Sequence, residues 1–112
     1  MAKEHEYCVY ILSRLSGTLY VGITSELRQR MWEHKRHVFE GFTAAYEVDR
    51  LMYWESFQLV QQAIAREKQL KGWTRQKKIA LFSKSNPSWK DLSREWFREE
   101  IHRVKPTQFG SG

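Results

Sequence analysis

The sequence predicts a single α/β domain of the α+β type, and three observations carry that reading. Two runs rich in β-branched and aromatic residues, YCVYIL at 7–12 and LYVGI at 19–23, flank a short turn that contains Gly17, the pattern of a hairpin. A third such run, LMYWE at 51–55, stands apart from them. Two further segments carry apolar residues at helical spacing: Leu27, Met31 and Val38 in the first, and Leu59, Val60, Ala63, Ile64 and Leu70 in the second.

Taken in order, each element has its own local justification. Thr24 and Ser25 supply an N-cap for the first helix, Glu26 suits the positive end of its dipole, and Gly41 marks its end. Residues 42–48 show no clear period. Ser56 is the expected cap of the second helix, which runs to a stop at Gly72. Thr74 opens a short basic helix through Phe82, and Asn86-Pro87 breaks it. Residues 90–105 then place Leu92, Trp96, Ile101 and Val104 at helical spacing, which predicts a last amphipathic helix.

With 112 residues, 41% hydrophobic and 29% charged, the chain has the composition of one ordered domain with a modest core. No run approaches the ~18 consecutive apolar residues of a membrane span, and the charged N-terminus does not read as a signal peptide. A cytoplasmic location is expected. Cys8 is the one cysteine, which excludes an internal disulfide and a multi-cysteine zinc module. His34 and His37 stand three apart but lack the further ligands that zinc requires.

The formal net charge of +6 makes a polyanionic partner plausible. The excess lies between Arg66 and Lys90, where eight basic residues meet the single acid Glu67. Arg66, Lys68, Lys71, Arg75, Lys77 and Lys78 are interleaved there with Trp73, Phe82 and Trp89. Clustered cations suit phosphates and aromatic faces suit bases; a solvated basic helix with its aromatics in the core is the plainer alternative.

Charged residues on apolar stripes are the informative ones. On a wheel of about 100° per residue starting at Leu59, Glu67 falls at ~80°, inside the apolar arc of the second helix. An exposed bridge to Lys71 would return only about 0.3–0.5 kcal/mol against a desolvation cost of several. Glu67 therefore calls for a buried Arg or Lys partner, or for a hard cation such as Mg²⁺, which often takes one or two protein carboxylates with water and phosphate. On the first helix His34 lies on the Leu27, Met31, Val38 stripe, one turn from Arg30. A core histidine is one reading; an Arg fork beside a proton-carrying imidazole is also a pairing used in phosphoryl chemistry. In the hairpin, a loop centred on Leu15 makes Tyr10 and Tyr20 cross-strand neighbours, with Gly22 opening space for a backbone or ligand. Simple aromatic packing accounts for the same two tyrosines.

Cys8-Val9-Tyr10, Tyr20-Val21-Gly22, Arg30, His34 and Glu67 occur in an order that resembles the GIY-YIG nuclease superfamily, most closely its small stand-alone bacterial members. Residues 27–35, LRQRMWEHK, resemble the segment carrying the family arginine, and Ala65-Arg66-Glu67-Lys68 the region of its metal-binding glutamate. The resemblance implies a small three-stranded antiparallel sheet flanked by helices, within residues 1–92; beyond it, the apolar spacing predicts a helix over 93–105 packed on the same domain, and 106–112 reads as a flexible tail. The resemblance also implies phosphodiester hydrolysis in nucleic acid, DNA rather than RNA, with one Mg²⁺ or Mn²⁺. Glu67 would hold the cation, Arg30 contact the scissile phosphate, and Tyr10, with Tyr20 or His34, activate water. Lys35, Lys68, Lys71, Arg75, Lys77 and Lys78 would join Arg30 in binding nucleic acid, and Asn86 stands where some members place a polar residue near the metal. Cys8 replaces the first motif's glycine, and Ile23 stands where some repair-type members carry a lysine. A non-catalytic nucleic-acid-binding module on the same fold is the rival reading.

Overall fold

In the computed structural model, the described residues are 6–14, 16–34 and 50–97, together with the backbone of 35–40. The side chains of Lys35 and His37, the turn residue Leu15, and the tail expected at 106–112 lie outside them.

Three strands, β1 (Tyr7–Ser13), β2 (Leu19–Thr24) and β3 (Arg50–Phe57), form an antiparallel sheet in the order β2-β1-β3. The central strand is the most apolar of the three, and Val9, Tyr10, Ile11 and Leu12 are all buried, as a strand covered on both faces requires. Alternation sends Val9 and Ile11 to one face and Tyr10 and Leu12 to the other. The first face packs with Val21 and Met52 against Ala63 and Leu70 of α2 (Val60–Lys71) and Phe82 of α3 (Arg75–Ser83). The second packs with Leu51 against Met31 of α1 (Leu27–Glu40) and against Phe97. A register irregularity between Ile11 and Leu12, where β1 meets β3, leaves Met52 as the extra residue, so that the neighbours Met52 and Tyr53 both join the α2-side core while Leu51 joins the other.

Local chemistry explains most boundaries. The hairpin turns through Gly17 at φ 94°, a left-handed conformation that glycine adopts without penalty. At α1 the Thr24 hydroxyl accepts the Glu26 N–H at 3.0 Å. At α3 Thr74 caps as expected, accepting from Lys77 N at 3.2 Å.

Four expectations need correction. Ser56 does not cap the second helix: it belongs to β3, opposite Cys8, and α2 begins at Val60 behind an N-cap, Leu59, with no side-chain bond. Leu59, Val60 and Ile64 are exposed, at 56%, 37% and 40%. The longer β3 delays the helix start and leaves only Ala63 and Leu70 buried. The hairpin pairs Tyr10 with Gly22 and Leu12 with Tyr20, so the tyrosines are diagonal neighbours rather than directly opposed. Finally, the helix expected over 90–105 does not start there. Leu92 N donates to Leu51 O at 2.9 Å and Asp91 accepts from Leu51 N at 3.1 Å. Those bonds hold the chain against the start of β3, and a short 3₁₀ helix, Arg94–Phe97, follows. Ile101 and Val104 lie outside the described residues. Among the described residues, no helix is long and apolar enough to cross a membrane.

Candidate active site

Tyr10 lies at the middle of the central strand with its residue fully buried. Its phenol crosses the neighbouring strand at Gly22, where a Cβ would stand 2.5 Å from Tyr10 Cζ and 2.9 Å from Cε1. The space expected beside Gly22 is thus filled by the Tyr10 ring itself, and any larger residue there would expel it. Tyr20 is tilted against this ring at a centroid distance of 6.4 Å and is 51% exposed on the edge strand. One tyrosine is clamped and the other faces solvent.

Three charged or polar groups act on the Tyr10 phenol. Burial pushes its pKa above the ordinary phenol value; the Arg30 guanidinium pulls it back, while Tyr20 and the Glu67 carboxylate push it up again. The structure therefore brings Tyr10, Tyr20, Arg30 and Glu67 into one electrostatic neighbourhood, although α1 and α2 cover opposite faces of the sheet. Arg30 is exposed and also approaches Glu33, at 3.5 Å, a surface pairing of small worth. His34 is half-buried one turn further along α1.

Glu67 faces inward, as its place on the helical wheel predicts, with its side chain 17% exposed. Its charged partner among the described residues is Lys71 at 3.1 Å, itself 55% exposed. That is the weak i,i+4 bridge and not the buried cationic partner that full compensation would need. Among the described residues no three His, Cys, Asp or Glu side chains converge into a metal cage. A single covered carboxylate fits a hydrated Mg²⁺ or Mn²⁺ that draws its other ligands from water and phosphate.

The remaining predicted residues divide. Asn86 is buried, and its amide binds backbone groups only: Nδ2 donates to Met52 O at 3.3 Å and Lys90 O at 2.8 Å, while Oδ1 accepts from Lys90 N at 2.9 Å. It clasps the loop after α3, where Trp89 is held at φ 58°, and its contacts do not connect it to the Tyr10 cluster. Arg75 donates to Gly17 O at 2.6 Å, tying the hairpin turn to α3. Lys77 sits 5.2 Å above the Trp73 ring. Lys68 is exposed and Lys78 half-buried.

Sequence reasoning missed a second polar cluster. Arg66 forks onto Glu55 of β3, Nε to Oε1 at 2.9 Å and Nη2 to Oε2 at 2.8 Å, and Glu55 also accepts from the Tyr53 hydroxyl. Burial and the Glu55 carboxylate push the Tyr53 phenol up to about 12. Burial alone would raise Glu55, but the Arg66 and Tyr53 hydrogen bonds overcome it and hold the carboxyl below its ordinary value. The available signal was the period of two in β3, which puts Tyr53, Glu55 and Phe57 on the face toward α2.

Comparison with known proteins bears on the same residues. Residues 6–80 match the family described as the GIY-YIG catalytic domain, a span that includes Tyr10, Tyr20, Gly22, Arg30, His34 and Glu67. A UPF0213 protein of Bacillus pumilus is 33% identical over 76 residues, covering 68% of this chain and 78% of the relative. A UPF0213 protein of Staphylococcus aureus is 33% identical over 73 residues, 65% of this chain and 89% of the relative. The solution NMR structure of a UPF0213 protein from Bacillus halodurans is similar, with a TM-score of 0.52 at 25% identity, covering 80% of this chain and 95% of that one.

Proposed function

The chain belongs to the GIY-YIG family, a family of nuclease type, and from that premise we propose that it is a divalent-metal-dependent endonuclease acting on nucleic acid, DNA in preference to RNA. The observation that carries the reading is the Tyr10 phenol clamped over Gly22, with the Arg30 guanidinium and the inward-facing Glu67 carboxylate near enough to act on its charge. Packing alone does not call for that set. A half-buried carboxylate whose charged partner is one exposed lysine has room and charge to take a hydrated cation.

In this mechanism Glu67 holds the cation, which when bound neutralises phosphate charge and acidifies water. Arg30 binds a non-bridging oxygen of the scissile phosphate and stabilises the charge that grows there in the transition state. Tyr10 stays protonated at neutral pH, since its pKa is raised, and its hydroxyl orients the attacking water. The water proton passes to His34 or Tyr20: a neutral imidazole takes it on its free ring nitrogen, whereas a phenol takes it only while handing its own hydroxyl proton on to solvent. The new P–O bond forms as the ester P–O bond breaks, and the leaving oxygen takes up a proton. Lys68, Lys77 and Lys78 bind backbone phosphates, a contact that attracts nucleic acid without reading its sequence.

The test is incubation of the purified protein with labelled single-stranded, duplex and branched DNA and RNA in Mg²⁺, Mn²⁺ or EDTA. Cation-dependent cleavage, strongest on DNA, is expected. Salt-sensitive binding with no cleavage under any condition would replace the proposal with a non-catalytic binding module. Arg30→Ala should lower the cleavage rate by about 10² or more, as removal of an oxyanion stabiliser does; a drop under tenfold in folded protein would remove Arg30 from that role.

A further inference from the structure

We infer that Arg66 is a positioning residue: its fork on Glu55 fixes the axial rotation of α2 and thereby keeps the adjacent Glu67 turned inward, toward the sheet. The inference rests on the reading of Glu67 as the cation-holding carboxylate.

Helix α2 packs against all three strands through a narrow apolar seam. Its buried residues are Ala63 and Leu70, two points about two turns apart, the first of which has only a methyl group. The Leu59 N-cap makes no side-chain bond, so no cap hydrogen bond helps to set the azimuth at that end. On a helix of about 100° per residue, Arg66 and Glu67 lie roughly 50° to either side of that seam. Rotation that carries one outward carries the other inward. Whatever fixes Arg66 therefore sets the aim of Glu67.

Arg66 is fixed from three directions. Both arms of the fork meet Glu55, at 2.9 and 2.8 Å, with side chains only 23% and 21% exposed; a planar bidentate pair constrains angle as well as distance. The third nitrogen, Nη1, donates to Gln69 Oε1 at 2.6 Å, and the guanidinium sits 5.3 Å from the Trp73 ring centroid. Glu55 pairs across the sheet with Val9, the residue before Tyr10. The clasp thus ties α2 to the strand register that also carries the phenol.

The test uses Glu55→Gln and Arg66→Lys, which keep side-chain bulk but break the charged fork, with circular dichroism and thermal unfolding to establish that each is folded. Tyrosine ring signals are followed by NMR in ¹³C-labelled protein, Tyr10 being assigned through Tyr10→Phe, and Glu67→Gln supplies the reference shift for loss of the neighbouring charge. Mn²⁺ affinity is read from the EPR signal of the free ion, and kcat and KM from cleavage. Each variant should move the Tyr10 signals toward the reference, weaken Mn²⁺ binding by about tenfold and lower kcat by about tenfold with KM nearly unchanged, the scale of outer partners of metal ligands. The double variant should be no worse than either single one, since both cut the same link. Folded variants with wild-type Tyr10 signals would overturn the inference. Shifted Tyr10 signals in a protein whose wild type neither binds Mn²⁺ nor cleaves would leave the positioning link standing and overturn the endonuclease reading instead.

Discussion

At position 22 a hydrogen atom stands where any other residue would put a methyl group against the Tyr10 ring. Gly22→Ala should therefore destabilise the fold by about 1–3 kcal/mol through overpacking and abolish cleavage. Tyr10→Leu in the same chain should recover the stability and not the activity, as urea unfolding beside a cleavage assay would show. Tyr53 offers a check independent of activity. Its folded-state pKa of about 12 lies above the ordinary value of ~10, so its contribution to stability is complete below pH ~10 and is lost as pH rises through 12. Absorbance at 295 nm should show a late-titrating phenol that disappears in Tyr53→Phe. A titration complete by pH 11 in folded wild-type protein would contradict the hydrogen bond to Glu55. The residues of the Tyr10 cluster were legible in the sequence through their ordered resemblance to the GIY-YIG motifs, since strand and helix periodicity alone read equally well as packing. The use of Gly22 was not, because it depends on a register centred one residue later than the turn suggested.

Helices α2 and α3 show what local signals settle and what they do not. Thr74 was legible as a cap because nothing competes for it, and Thr74→Ala should cost about 1 kcal/mol. Ser56 carries the same chemistry, but β3 extends to Phe57 and claims it, since pairing with β1 satisfies the backbone that a helix start would leave open. Ser56→Ala should change stability by less than about 0.5 kcal/mol. Equal losses in the two variants, measured by thermal unfolding, would contradict this assignment of helix starts. The inward place of Glu67 followed from periodicity even though Leu59, Val60 and Ile64, which defined the arc, are exposed. Ala63 and Leu70 alone suffice to orient the stripe. The Arg66–Glu55 clasp was not legible, since it joins residues eleven apart on elements whose mutual rotation only the folded sheet defines.

Across the whole molecule, the basic excess between Arg66 and Lys90 is partly taken up by the fold. Arg66 is committed to Glu55 and Arg75 to the hairpin turn, while Lys71 bridges Glu67 only from an exposed position. Composition counts these cations alike; packing divides them into structural and solvent-facing sets. Changing Lys68, Lys77 and Lys78 together to alanine should reduce the slope of log affinity against log salt by about 2–3, near one for each phosphate no longer neutralised. An unchanged slope would move the nucleic-acid surface elsewhere. Glu67 decides whether that surface serves chemistry. Binding and cleavage of one labelled DNA should be compared between the wild-type protein and Glu67→Gln at a single Mg²⁺ concentration. The variant is predicted to bind as tightly as wild type or tighter, having lost a negative charge, and to cut nothing. Cleavage at the wild-type rate, or parallel loss of binding and cleavage in a folded variant, would contradict a catalytic role for the carboxylate.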